Sequence, residues 1–253
     1  MSTRPVRRRS AAAPRLRAEA LTVMGITAAI LIVIAFWLRH RGDLGTAFAI
    51  AAPCGFGLMA ALVMLALPAY PHARFGVANM LTTARAGITA LIGALAFEAE
   101  RLTAPEPRLA WLATGATAIA LALDGLDGYA ARRRAETSRF GARFDMEIDA
   151  LLLLLLCVLL HGAGKVGIWI YLLGAMRYAF VLGQWLWPRL ARRTLAPSQR
   201  RKTVCVIQGV VLCIGLAPIV TAPLASVIAA AALIALSVSF ALDIRVLLAE
   251  DQG

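Results

Sequence analysis

The sequence has little of the chemistry that cysteine and histidine usually supply. It contains four cysteines and three histidines in 253 residues. Every cysteine lies in an apolar stretch and none belongs to a CxxC pair, so we interpret all four as packing residues rather than disulfide partners or metal ligands. The histidines lie in or beside loops without metal-ligand spacing. No serine, cysteine or histidine stands beside a base in a pattern that predicts a covalent intermediate.

Acidic residues are also scarce, with 14 Asp and Glu against 26 Lys and Arg and a formal net charge of +12. The chain is 60% hydrophobic with a mean hydropathy of +0.76, which excludes an ordinary soluble domain. A helix needs about 20 mostly apolar residues to cross a bilayer core. We therefore predict an all-α, polytopic transmembrane helix bundle of about eight spans. The candidate spans are Leu21–Leu38, Leu44–Ala69, Asn79–Phe97, Leu109–Leu123, Ala150–Leu160, Val166–Trp187, Val204–Val220 and Leu224–Leu242.

The N-terminal region is predicted to have two parts. Residues 1–19 are rich in Arg, Ala and Pro, which favours a disordered cytoplasmic tail that can lie on anionic lipid headgroups. Residues 20–74 hold two spans that form a transmembrane hairpin. The first span is too long for a signal peptide and ends in Phe36–Leu38 rather than in small residues, so we expect a retained anchor.

Basic residues are distributed unevenly among the predicted loops. With the N-terminus inside, the cytoplasmic side holds Arg132–Arg134 and the cluster from Arg189 to Lys202, and only five basic residues lie opposite. This positive-inside asymmetry supports the orientation with the N-terminus in the cytoplasm. We interpret the chain as a multi-pass protein of the inner membrane. The asymmetry also explains the net charge, so we do not expect binding to nucleic acid.

Four of the scarce acidic residues stand where one apolar run ends and the next begins. Asp124 and Asp127 are three positions apart, and Asp145 and Asp149 are four apart. On helices, each pair shares a face. Converging carboxylates repel each other, and all-oxygen ligand sets suit hard divalent ions such as Mg²⁺ or Mn²⁺. Carboxylates at a membrane surface are costly and usually mark function. We predict a metal site here, on the cytoplasmic face.

The residues between the two aspartate pairs follow a specific pattern. The fixed positions are Asp124, Asp127, Gly128, Ala131, Arg132, Gly141, Asp145 and Asp149. This pattern resembles the signature of the CDP-alcohol phosphotransferase family, D-x2-D-G-x2-A-R-x8-G-x3-D-x3-D, and every fixed position matches. The resemblance implies a six-helix catalytic core within residues 75–253, to which the hairpin of residues 20–74 is an addition. It also implies a homodimer, as is common in the family.

A second element supports the resemblance. Asn79, Thr82 and Arg85 fit the N-x2-T-x2-R pattern that opens the first core helix of the family, although Ala78 replaces the usual proline. At this spacing all three side chains can face one cavity. A polar helix start would explain Asn79 and Thr82 equally well.

The resemblance implies a role for each matching residue. Asp124, Asp127 and Asp145 would hold two divalent ions, Mg²⁺ or Mn²⁺, and Asp149 would lie near the second ion and act as general base. The residues implied to bind the CDP-alcohol are Asn79, Thr82, Arg85, Gly128, Ala131, Arg132, Ser138 and Gly141. Glycine lets the backbone approach a ligand closely, and arginine offers a planar donor fork for phosphate.

The implied reaction is a single displacement. An alcohol hydroxyl attacks the β-phosphorus of a CDP-alcohol, usually CDP-diacylglycerol, and CMP leaves. The chain would then be a CDP-alcohol phosphatidyltransferase of phospholipid biosynthesis, a transferase of substituted phosphate groups.

The acceptor alcohol is less well marked. Arg177 lies within an otherwise apolar span, and a substrate phosphate would be a suitable partner for it. Arg201 and Lys202 belong to a basic cluster that can attract an anion. These three residues favour a phosphorylated polyol, such as glycerol 3-phosphate or inositol phosphate, over serine or choline. An ion pair with a motif aspartate, snorkelling to the interface or an ordinary inside loop would explain them as well.

Two other functions compete with phosphatidyl transfer. An intramembrane prenyltransferase also uses aspartates and Mg²⁺, but its two motifs lie on widely separated helices and lack the G-x2-A-R insert. A cation-binding transporter would place its charges near the bilayer midplane rather than at one surface.

Overall fold

The structure is a computed structural model that describes residues 6–42, 44–133, 138–186 and 199–249. These residues form eight α-helices and three short 3₁₀-helices, with no β-strand among them. The α-helices are α1 Val6–Gly42, α2 Thr46–Ala66, α3 Val77–Ala94, α4 Arg108–Arg133, α5 Arg139–Gly162, α6 Tyr171–Leu186, α7 Gln199–Leu216 and α8 Ala222–Ala249. The 3₁₀-helices are Leu67–Ala69, Leu95–Thr103 and Ile168–Ile170. The predicted all-α class is confirmed.

Each predicted span corresponds to one of these helices. Within the described ranges, four segments are long and apolar enough to cross a membrane: Pro14–Arg41, Thr46–Ala69, Val77–Thr103 and Ala222–Arg245. Helix α4 continues past its apolar part through Asp124 to Arg133, and α5 begins at Arg139, ahead of Asp145. Both aspartate pairs therefore lie within helices, at the polar end of an apolar run.

The structure differs from the sequence-based expectation at the N-terminus. Residues 1–19 were expected to be disordered, whereas α1 already begins at Val6. Alanine and arginine have high helix propensity, and Ala11–Ala13 lie in this segment. Arg15 and Glu19 add an ion pair one helical turn apart, with 3.3 Å between Nε and Oε1. Local helix propensity therefore outweighs the high polarity that suggested disorder.

Two compact units make up the chain. The first falls within residues 1–98 and 115–152, and in it α1 and α2 pack against each other and against α3. The buried stripe of α1 consists of Leu16, Ala20, Met24, Leu31 and Ala35. Helices α1 and α3 approach closely at Gly87, where a Cβ atom would lie 3.0 Å from Thr27 Cγ2. The expected boundary between residues 74 and 75 lies inside this unit.

The second unit falls within residues 99–114 and 153–253, and α7 packs along α8 in it. Lys165 is buried here and donates three hydrogen bonds from Nζ, to the carbonyl oxygens of Gly215 (3.0 Å), Leu216 (3.3 Å) and Ala217 (2.7 Å). The ammonium group thus satisfies carbonyls at the end of α7 that lack partners within the helix. Burial lowers the pKa of Lys165.

Candidate functional site

Three aspartates converge in the first unit. Asp124 comes from α4, and Asp145 and Asp149 lie one turn apart on α5. One carboxylate oxygen from each residue lies within 4.8 Å of the other two. The side chains are 30%, 33% and 40% exposed, so the group is open enough for a ligand to reach. An oxygen-only set of this kind suits a divalent ion such as Mg²⁺ or Mn²⁺.

Arg85 of α3 links these carboxylates. Its side chain is fully buried and forms ion pairs with Asp145, with Asp149 and, at 3.2 Å between Nη1 and Oδ1, with Asp124. A buried guanidinium is tolerated only when its charge is paired, and its planar fork can serve two carboxylates at once. Among the described side chains, one guanidinium faces three carboxylates, an arrangement that favours a bound cation.

Helix α3 carries further buried polar side chains. Asn79, Thr82 and Thr83 are at most 4% exposed. Asn79 Nδ2 donates to the carbonyl of Phe75 at 2.5 Å, and Thr83 Oγ1 donates to the carbonyl of Asn79 at 2.7 Å. Asn79, Thr82 and Arg85 thus follow one another along α3 toward the aspartates, as their spacing of three predicted.

The first turn of α5 meets α3 at Asn79. Ser138 caps the helix, because its Oγ accepts a hydrogen bond from the backbone N–H of Gly141 at 2.9 Å. A Cβ atom at Gly141 would lie 3.2 Å from both Asn79 Oδ1 and Ser138 Oγ. Glycine therefore permits the close approach that brings Asn79, Ser138 and Gly141 together.

Several predicted residues fall outside the described side chains. Asp127, Gly128, Ala131 and Arg132 belong to the last turns of α4, and only their backbone is described. The side chain of Arg177 on α6 also lies outside the described part. Their roles remain predictions.

Arg201 and Lys202 lie in the first turn of α7, in the second unit. Lys202 is exposed, whereas Arg201 Nη1 lies 3.3 Å from Oδ1 of Asp243 on α8. The neighbouring Arg200 contacts the same oxygen at 2.5 Å and donates to the carbonyl of Ser239 at 2.9 Å.

Sequence reasoning missed two features of these clusters. It placed Arg85 among the nucleotide contacts and did not predict its ion pairs with the aspartates. It also left Asp243 unassigned. The available signal was an acidic residue directly after the last apolar span, for which the basic cluster between Arg189 and Lys202 offers a partner of opposite charge. Asp243 is 7% exposed.

The model of the CDP-alcohol phosphatidyltransferase family matches residues 75–242, which is 168 of the 253 residues. The chain therefore belongs to this family, and the resemblance inferred from the aspartate motif is confirmed. Membership makes it a transferase of the CDP-alcohol phosphotransferase type, a membrane protein of phospholipid biosynthesis. No curated protein and no solved structure matches the chain.

Proposed function

We propose that this protein transfers a phosphatidyl group from CDP-diacylglycerol to an alcohol acceptor and releases CMP. The observation that carries the proposal is the convergence of Asp124, Asp145 and Asp149 within a match to the family. Phosphatidyl transfer in general follows from the family. The donor, the acceptor and the residue roles are our proposal.

The described residues fit a divalent metal. One oxygen from each of three carboxylates lies within 4.8 Å of the others, and among the described side chains one guanidinium faces them, so carboxylates outnumber cations in the described part of the site. Asp124 and Asp145, with Asp127 from the sequence motif, would hold Mg²⁺ or Mn²⁺, and Asp149 would lie near a second ion. When bound, such ions neutralise charge on the pyrophosphate and on the leaving CMP.

Asp149 is the proposed general base. Its carboxylate would accept the proton of the acceptor hydroxyl as that oxygen bonds to the β-phosphorus and the bond from phosphorus to the CMP oxygen breaks. Arg85 contacts the same carboxylate and keeps it oriented. We assign Arg85 to the positioning of the aspartates, in place of the direct nucleotide contact that its motif implied.

The nucleotide would lie where α3 meets the first turn of α5. Asn79, Ser138 and Gly141 meet in this region, and Thr82 lies one turn further along α3. The remaining proposed contacts come from the end of α4: Gly128, Ala131 and Arg132.

The acceptor is proposed to be a phosphorylated polyol such as glycerol 3-phosphate or inositol phosphate. Arg201 is held by Asp243, and Lys202 beside it is exposed, so this end of α7 presents positive charge in a fixed arrangement. Arg177 is the third proposed contact. We also propose that the protein is a homodimer of the inner membrane with its site on the cytoplasmic face.

The test is CMP release by purified protein in detergent with CDP-diacylglycerol and Mg²⁺. The acceptors compared are glycerol 3-phosphate, inositol phosphate, serine and choline. We expect release that depends on a phosphorylated acceptor and is lost in Asp149→Asn. Glu147→Gln is the matched control on the same helix and should stay active. Release that persists in Asp149→Asn would contradict the assigned base, and release with serine or choline alone would contradict the acceptor.

A further inference from the structure

The family match begins at residue 75 and leaves α1 and α2 outside it. These two helices, here called the N-terminal hairpin, nevertheless pack against α3. A hydrogen bond joins the N-terminal hairpin to Phe75, the residue at which the family match begins. Glu19 Oε2 of α1 accepts it from the backbone N–H of Phe75 at 3.1 Å.

Phe75 is held through both of its backbone groups. Its N–H donates to Glu19, and its carbonyl accepts from Asn79 Nδ2 at 2.5 Å and from Tyr70 Oη at 3.3 Å. The side chain of Phe75 is fully buried. Gly76 follows with φ at 78°, a left-handed conformation that glycine adopts without strain, and α3 begins at Val77. The position of Phe75 therefore decides where α3 starts.

A change at the start of α3 would be passed along the helix. Successive turns are hydrogen-bonded into one rod, so a shift or rotation at Val77 moves Asn79, Thr82 and Arg85 together. Asn79 has little space to move, because Gly141 accommodates it only by lacking a Cβ atom. The geometry of the proposed nucleotide site thus depends on how Phe75 is held.

The ion pair of Glu19 with Arg15 does not account for the position of this carboxylate. Arg15 is 64% exposed, and exposed pairs one helical turn apart contribute little to stability. The hydrogen bond from a backbone N–H to a carboxylate is stronger than such an exposed ion pair. Glu19 Oε2 accepts such a bond from Phe75, which lies 56 positions further along the chain.

We propose that Glu19 is a positioning residue for the nucleotide site and that the N-terminal hairpin is part of the active-site framework. The inference rests on the proposed function. It assigns the hairpin a role beyond membrane anchoring, because its glutamate sets the start of the helix that carries Asn79, Thr82 and Arg85.

A second bond of the same kind provides a matched control. Glu98 Oε1 accepts from the backbone N–H of Gly45 at 2.7 Å and so joins the segment after α3 to the start of α2. It lies beyond the opposite end of α3 from Asn79. We expect loss of this bond to loosen the hairpin at the end of α3 that is remote from Asn79.

The experiment compares Glu19→Ala, Glu19→Gln and Glu98→Ala in the full-length protein. We expect Glu19→Ala to raise KM for CDP-diacylglycerol about tenfold, because a hydrogen bond to a charged group is lost and Asn79 and Thr82 shift with the start of α3. We also expect kcat to fall, because Arg85, which orients the aspartates, moves with the same helix. Glu19→Gln keeps an acceptor oxygen and should restore most of the affinity. Glu98→Ala should lower thermal stability without changing KM.

Hydrogen exchange gives a readout that does not depend on activity. Amides in residues 70–82 should exchange faster in Glu19→Ala and at the wild-type rate in Glu98→Ala. If the wild-type protein releases CMP but Glu19→Ala changes neither KM nor amide exchange, the inference about Glu19 is overturned and the proposed function stands. An equal rise of KM in Glu98→Ala would also overturn it. A wild-type protein that binds Mn²⁺ but releases no CMP would instead overturn the proposed function, and the exchange data would still test Glu19.

Discussion

The two units each contain a cluster of arginine and aspartate, with opposite charge balance. Among the described side chains of the first unit, the buried guanidinium of Arg85 faces the carboxylates of Asp124, Asp145 and Asp149. Among those of the second unit, the buried carboxylate of Asp243 faces two guanidinium groups, those of Arg200 and Arg201. The first cluster has excess negative charge and suits a cation. The second has excess positive charge and suits an anion.

The same Arg–Asp ion pair therefore occurs in one cluster with a surplus of carboxylates and in another with a surplus of guanidinium groups. Within each cluster the minority charge offsets part of the repulsion among its partners and fixes their orientation. The charge left over decides which ligand is attracted. Four changes test this comparison, and they follow from the largest expected effect to the smallest.

The largest effect is expected from Asp124→Asn in the first cluster. The substitution removes one negative charge and one strong metal ligand, so we expect Mn²⁺ affinity and CMP release to fall by at least about 100-fold. Paramagnetic resonance of added Mn²⁺ and the CMP assay measure the two quantities. Mn²⁺ binding at the wild-type level would show that Asp124 is not a ligand.

Arg85→Gln removes the minority charge of the first cluster. The three carboxylates then repel each other more strongly, and their orientation is lost, so we expect activity to fall by about 10-fold to 100-fold. Stability should also depend more on metal than in the wild type, because only a cation can then offset the repulsion. Melting temperatures with Mg²⁺ and with EDTA measure this. Equal metal dependence in both proteins would contradict the positioning role of Arg85.

Asp243→Asn removes the minority charge of the second cluster. Arg200 and Arg201 lose the carboxylate that orients them, so we expect KM for the phosphorylated acceptor to rise about tenfold while KM for CDP-diacylglycerol stays the same. Arg245→Gln is the control, since it changes an exposed charge at the same end of α8. A rise in both KM values would indicate general loosening instead of acceptor binding.

A change in ionic strength should have the smallest effect on activity. It should act on the exposed basic residues of the second cluster more than on the buried Arg85 of the first. Raising salt from about 0.1 to 1 M shortens the Debye length from about 10 to 3 Å, which screens the exposed basic residues most. We expect KM for a phosphorylated acceptor to rise about threefold, with kcat at saturating acceptor nearly unchanged. A salt-independent KM would argue against electrostatic attraction of the acceptor.

The sequence was sufficient for those parts of the fold and site that depend on neighbours along the chain. Apolar runs separated by basic loops predicted the helices, because each helix forms its own backbone hydrogen bonds and needs only enough apolar length. The pairing of Asp145 with Asp149 on one helix face followed from their spacing. The expected disorder before residue 20 failed because local helix propensity from Val6 onward was underestimated.

The tertiary structure alone decided which partners these residues meet. Sequence patterns placed Arg85 in a polar stripe, but a buried guanidinium can pair with a phosphate or with a carboxylate, and only the packing of α3 against α4 and α5 selects the aspartates. Glu19 with Phe75 and Arg200 with Asp243 are likewise far apart in the chain. Spacing along a helix determines which face a side chain occupies, whereas its partner depends on which helix packs against that face.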